Sequence, residues 1–241
     1  MSKFQRPASL ATGTVYHTFQ AKNKAGDAMI EYQIKDLPEE LYEKALEILT
    51  ADFATEETLC VAKNITANAA AMNEVCYFWH QTMKEKFSVG CFANDGSNEL
   101  AGVAVMTVWT KGENRSESLK PNQTDTKELL DLLKWVLNQH DVFTKYGVDT
   151  YLTEYAMCTR KEFRNRGLAT EFIRSRTQQM KLLNVPVTSS AFTVIGTQKA
   201  AAKVNHHDGW KISYDELQKK YPTFDFSKRN VDELKIMDFK P

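Results

Sequence analysis

Along the chain, apolar positions recur first with a period of two and then with a period near 3.6. Residues Met29–Lys35 (MIEYQIK) alternate apolar and polar side chains, which predicts a strand with one covered face. Pro38 then opens a helical pattern with Leu41, Ala45, Ile48 and Leu49 on one side. A second helix is predicted over Asn68–Phe87, striped by Met72, Val75, Cys76, Trp79 and Met83. Two apolar runs, Phe87–Ala93 and Leu100–Trp109, flank the turn residues Asn94-Asp95-Gly96-Ser97-Asn98 and read as a hairpin. The stretch Lys111–Thr126 has Leu119 as its only aliphatic residue and reads as an exposed loop inside a domain.

Beyond that loop, Lys127–Leu137 resumes the helical period through Leu129, Leu130, Leu133, Val136 and Leu137, and Tyr151–Thr159 reads as a strand running into a basic turn. Then follow a helix over Leu168–Leu183, a strand over Val187–Ile195, an Ala-rich helix over Gln198–Asn205, a short strand over Lys211–Tyr214 and a final alternation over Val231–Phe239. An early hairpin and a late βαβα run predict an α/β (α+β) protein, a mixed sheet covered by helices. The organisation expected is an N-terminal extension, residues 1–26, followed by a single domain, residues 27–241. No apolar run reaches the roughly 18 residues of a membrane span, so no membrane association is expected.

Charge narrows the function classes. The 31 Lys and Arg residues balance 31 Asp and Glu residues, which argues against a general nucleic-acid binder. The four cysteines, Cys60, Cys76, Cys91 and Cys158, contain no C-x-x-C pair for zinc or dithiol chemistry, and buried thiols in the cytoplasm are expected.

The segment that carries chemistry is Thr159-Arg160-Lys161-Glu162-Phe163-Arg164-Asn165-Arg166-Gly167-Leu168-Ala169. A strand ends, four positive charges face one negative, and a helix begins at Gly-x-Ala. Unpaired N–H groups and the positive end of the helix dipole make such a turn a cradle for phosphate. Gly167 and Ala169 let a diphosphate approach the backbone, and Arg164 and Arg166 are placed to pair with its oxygens. Alone, the pattern is weak and reads more readily as a solvated basic turn with an ordinary helix start. The preceding strand, the following helix and the next βα unit, from Gln198 through Ala201 and Asn205 to Gly209-Trp210, favour the cradle.

Arg164-Asn165-Arg166-Gly167-Leu168-Ala169 resembles the R/Q-x-x-G-x-G/A acetyl-CoA motif of the Gcn5-related N-acetyltransferases. Four further stretches resemble signatures of its insect arylalkylamine N-acetyltransferase-like branch: Glu56–Cys60, Asp141–Val148, Phe192–Gln198 and Ile212–Leu217. The resemblance implies a mostly antiparallel sheet with one splayed pair of parallel strands and helices on both faces. It also implies transfer of acetyl from acetyl-CoA to a small-molecule primary amine, without a metal. By the same analogy the backbone of Met157 and Thr159 holds the pantetheine arm, and Arg164, Asn165, Arg166, Gly167, Leu168, Ala169 and Thr170 hold the diphosphate.

An alkylamine with a pKa near 10 must lose a proton before it attacks a thioester. Asp52, Glu56 and Glu57 form an acidic cluster, read either as a solvated loop or as the source of that base, and Glu57 matches the family's position. Two departures stand out. Thr197 is the only hydroxyl in the turn where relatives carry serines, and is assigned a catalytic role; Asn205 occupies the place of the superfamily's usual tyrosine acid, for which Tyr155 is a possible substitute. His206 and His207 read as solvent-exposed, Cys158 as a core thiol, and Tyr77, Phe78 and Trp79 as core aromatics. A cofactor-binding protein without catalysis and a peptide N-acetyltransferase are the alternatives.

Overall fold

The computed structural model describes residues 2–113 and 120–241, so part of the polar loop lies outside the described residues. Among the described residues eight strands form one sheet: β1 (Val15–Lys22), β2 (Met29–Asp36), β3 (Val89–Ala93), β4 (Leu100–Thr110), β5 (Thr150–Thr159), β6 (Thr188–Phe192), β7 (His207–Ser213) and β8 (Glu233–Phe239). Their order is β1-β2-β3-β4-β5-β6-β8-β7, and every neighbouring pair is antiparallel except β5 and β6. The expected mostly antiparallel sheet with one parallel pair is present.

Helices α1 (Tyr42–Ile48), α2 (Thr58–Ala62), α3 (Ala69–Met83), α4 (Thr124–Asn138) and α8 (Tyr214–Lys220) share one core, while α6 (Leu168–Leu183) and α7 (Ile195–Lys203) share the other. The short α5 (Val142–Tyr146) precedes β5. Strand β4 is central, and its two faces feed the two cores: Val103 and Val105 point to one, Ala104, Met106 and Val108 to the other. Burial on both sides is why its sequence is a continuous apolar run rather than an alternation. Among the described residues no helix is long and apolar enough to cross a membrane.

Strand β1 lies within the stretch read as an extension. It buries only Tyr16 and Ala21, too few side chains to write a pattern, and its ladder with β2 holds it in the sheet. The N-terminal arm is pinned to the same place: Arg6 makes a two-pronged ion pair with Asp36 at 2.8 and 2.7 Å, and the Tyr16 hydroxyl donates to Asp36 at 2.7 Å.

The feature that positions the site is the parting of β5 from β6. Their register contains one pair, Leu152 with Thr188, whereas β6 pairs with β8 at every residue from Thr188 to Phe192. On its other side β5 bulges: Val105 faces Ala156 but Met106 faces Glu154, leaving Tyr155 as the extra residue. Polar side chains replace the missing ladder. Ser190 Oγ accepts the Glu154 N–H at 3.2 Å and Arg176 Nη1 at 3.3 Å, and Arg176, only 2% exposed, is ion-paired with the Glu154 carboxylate.

A second polar hub lies on β8. The Asp238 carboxylate is fully buried and meets His140 Nε2 at 2.7 Å, Lys145 Nζ at 2.9 Å and the Tyr146 hydroxyl at 2.9 Å. Burial alone pushes its pKa up, but hydrogen bonds from His140, Ser189 and Lys145 outweigh this and hold the carboxyl far below its usual range. The hub ties α5 and the end of α4 to β8.

His206 departs from the expectation of exposure. Its ring is buried, stacked on Phe239 with centroids 5.3 Å apart and edge-on to Phe192, while His207 is exposed. Polar residues on either side suggested a loop, but the strand β7 begins at His207 and turns the preceding ring inward. Burial, reinforced by the nearby Arg176 charge, lowers its pKa to about 3.

Two stability measurements test these placements. Arg176→Met leaves a buried carboxylate without its partner and is expected to cost about 3–5 kcal/mol in urea unfolding. Adding Glu154→Gln restores part of that loss; strictly additive losses would mean the two groups are not coupled. For His206 the folded state resists a proton that the unfolded state accepts below about pH 6.5. Stability is therefore lost as pH falls from that value toward 3, by up to about 1.4 kcal/mol per pH unit. The difference between wild type and His206→Phe, followed by melting from pH 7 to 5, should grow in favour of the variant as pH falls, and a constant difference would refute the buried neutral imidazole.

Candidate active site

A cavity of about 510 Å³ opens where β5 and β6 part. Residues 154–159 of β5 and 191–197 at the end of β6 form its sides, and the turn 163–169 closes one end. Phe53, Val75, Phe78 and Trp79, with Leu129, Leu130, Leu133 and Leu137 of α4, supply an apolar wall. Tyr77, grouped with the core aromatics in the sequence, is instead 58% exposed. One residue step turns a helix by about 100°, which carries it away from the face used by its neighbours.

The basic turn forms the predicted cradle. Asn165 and Gly167 have φ values of 61° and 81°, and this left-handed backbone feeds directly into the first turn of α6. Among the described residues the N–H groups of Asn165, Arg166, Gly167, Leu168 and Ala169 donate to no protein acceptor, whereas the Thr170 N–H is spent on Gly167 O at 2.9 Å. Five successive donors at the positive end of a 16-residue helix suit a diphosphate. The Gly167 position also leaves nothing within 4 Å of where a Cβ would stand, so the turn is open. Arg160 donates its N–H to Ala101 O on β4 at 3.0 Å. Strand alternation then turns the amides of Met157 and Thr159 the other way, toward the parted side, where an extended chain could pair with them.

The two arginines have other partners. Arg166 does not line the cavity; it donates to the carbonyls of Asn23, Lys24 and Arg164 at 3.0, 2.9 and 2.8 Å, tying the β1–β2 turn to the cradle. Arg164 does line the cavity, and its guanidinium reaches both Glu56 carboxylate oxygens at 3.0 and 2.7 Å and the Asp52 and Thr159 carbonyls at 3.2 Å.

Four carboxylates line the cavity: Asp52, Glu56, Glu57 and Glu154. Asp52 and Glu56 pair with Lys161 and Arg164, and Glu154 with Arg176. Among the described residues only Glu57 faces no cationic side chain. It caps α2, accepting the Leu59 N–H at 3.0 Å and the Cys60 N–H at 2.8 Å, and is 9% exposed. The cap and the Cys60 thiol use three of the carboxylate's four lone-pair sites, which leaves one for a further donor. The neighbouring Cys60 thiol is pushed far above its ordinary value by burial and by the Glu57 charge, and the Cys158 thiol is pushed up to about 12, chiefly by burial. Neither is a thiolate near neutral pH.

Thr197 lines the cavity and donates its hydroxyl to Val194 O at 3.1 Å. Tyr155, the bulged residue, also lines it and accepts the Trp109 indole N–H at 2.9 Å. Asn205 lies outside the lining, exposed and with φ at 64° where α7 ends. Glu154, Arg176 and Ser190 were not singled out in the sequence. The available signal was a lone arginine on the apolar face of α6, in step with Phe172 and Met180.

Three of the four signature stretches meet at one atom. The Thr193 carbonyl accepts Thr58 Oγ1 at 2.8 Å and the Tyr214 hydroxyl at 2.7 Å, joining α2, the end of β6 and α8. Gln198 then donates to the carbonyls of Phe192 and Glu233, and a Ser213–Glu216 capping box starts α8.

No protein-family model matches the chain, and no curated protein matches it in sequence. Solved structures do. A yellow fever mosquito protein provisionally named arylalkylamine N-acetyltransferase 7 superposes with a TM-score of 0.92 at 27% identity, covering 99% of each chain. Arylalkylamine N-acetyltransferase 2 from Aedes aegypti gives 0.77 at 19% identity, over 87% of this chain and 98% of that one. The Drosophila melanogaster polyamine N-acetyltransferase gives 0.73 at 15% identity, over 87% and 100%. The chain has the fold of the Gcn5-related N-acetyltransferases and, over 99% of its length, is like a solved insect protein provisionally named an arylalkylamine N-acetyltransferase.

Proposed function

We propose that the protein is an acetyl-CoA-dependent N-acetyltransferase acting on a primary amine with an aryl or alkyl body. The observation that carries this reading is that, among the described residues, one cavity holds an unpaired amide cradle, an apolar wall and a single carboxylate without a cationic partner. The likeness to solved N-acetyltransferases of insects supports the same reaction class.

The bound cofactor supplies an acetyl thioester. The cradle from Asn165 to Ala169 holds its diphosphate, and the amides of Met157 and Thr159 hold the pantetheine arm as an added strand. Phe53, Phe78, Trp79 and the leucines of α4 exclude water from the acceptor's apolar body. The Glu57 carboxylate attracts the ammonium group and takes its proton, directly or through one water, so that the neutral amine attacks the thioester. No covalent acetyl-enzyme is invoked, because the cavity cysteines are held protonated. A thiol with a pKa near 8.5 leaves without a dedicated acid, which suits a chain with Asn205 in place of tyrosine.

The test is CoA-thiol release across tyramine, dopamine, serotonin, agmatine and putrescine, with the thiol read after protein removal. Turnover is expected with an aryl or alkyl monoamine, and Glu57→Gln should lower kcat/KM by about 10²–10⁴-fold while CoA still raises the melting temperature. Thermal stabilisation by CoA with no amine turned over would leave a cofactor-binding protein and remove the catalytic assignment.

A further inference from the structure

We infer that Glu56 holds down the affinity of the cradle by competing with the cofactor's diphosphate for the Arg164 guanidinium, an inference that rests on the acetyl-CoA reading above. Arg164 is the cationic side chain of the turn 164–169 that lines the cavity, yet it is engaged in the structure: Nη1 bridges both Glu56 oxygens, Nη2 reaches the Asp52 carbonyl and Nε the Thr159 carbonyl. Lys161 is drawn into the same strap. Its N–H meets Asp52 Oδ2 at 3.3 Å, and its Nζ lies 3.5 Å from Asp52 Oδ1 and 3.7 Å from Glu56 Oε1.

Two positive and two negative side chains therefore cancel at the mouth of a site built for an anion. Asp52 is largely covered and bound by two groups of Lys161, whereas the Glu56 carboxylate is about half exposed and free to swing outward. Glu56 is thus the partner that gives way. When a diphosphate reaches the cradle, Arg164 exchanges one anion for another, and the net gain is smaller than a free guanidinium would provide. The exchange is reversible and helps CoA depart after transfer.

The experiment is calorimetric titration of the full chain with CoA and, separately, with pantetheine, which shares the thiol arm and lacks the diphosphate. Glu56→Gln is expected to tighten CoA binding about three- to tenfold at low salt, with the gain shrinking as ionic strength rises, and to leave pantetheine binding unchanged. In an Arg164→Gln background the same substitution should give no gain, because the competition acts through that guanidinium. Unchanged or weaker CoA binding in Glu56→Gln, an equal gain for pantetheine, or an equal gain without Arg164 would each overturn the inference. If the unsubstituted protein binds no CoA, the acetyltransferase reading itself fails and takes the inference with it.

Discussion

The parallel strands β5 and β6 pair at Leu152 and Thr188 and nowhere beyond, so the backbone groups released on each strand need partners other than a ladder. Near the fork they find them in Ser190 and in the Glu154–Arg176 ion pair, buried groups that satisfy the Glu154 amide and keep the strands from closing. Farther along, no side-chain bond among the described residues bridges the two strands, and the gap becomes a cavity. The bulge at Tyr155 turns β5 from one edge, and the full ladder between β6 and β8 holds β6 from the other. The site is thus a consequence of how the sheet fails to pair.

The stretches that resemble family signatures do mostly architectural work. Thr58, Tyr214 and Thr193 meet through one carbonyl, and Gln198 fastens α7 to the ends of β6 and β8. In the fourth stretch, Lys145 and Tyr146 reach the buried Asp238 carboxylate. These contacts hold α2, and with it the Glu57 cap, against the end of β6. A side chain placed by two backbone N–H groups and a packed helix is well fixed, which a proton acceptor requires.

Charge at the mouth is arranged more evenly than the basic turn suggests. Arg160 faces Glu99 and Glu162, Lys161 faces Asp52 and Glu56, and Arg164 faces Glu56. Arg166 bonds only to carbonyls among the described residues, so the cradle depends on its amides and on the dipole of α6 more than on side-chain cations.

What the sequence determined by itself was whatever rests on local periodicity and local backbone chemistry. The strand Met29–Asp36, the hairpin of β3 and β4, the helices α3, α4 and α6, and the turn at Gly167 were all legible, because apolar spacing and glycine act within a few residues. Edge strand β1 was not, since it buries two side chains and owes its form to β2. Nor was the burial of His206, or the partner of any charged residue. Glu56 and Arg164 stand 108 positions apart and Arg6 and Asp36 stand 30 apart; no spacing rule reaches across such distances. Tertiary structure alone decided which cavity carboxylates are neutralised and which one, Glu57, is left without a cationic partner among the described residues, because electrostatic pairing depends on distance in space and not on separation along the chain.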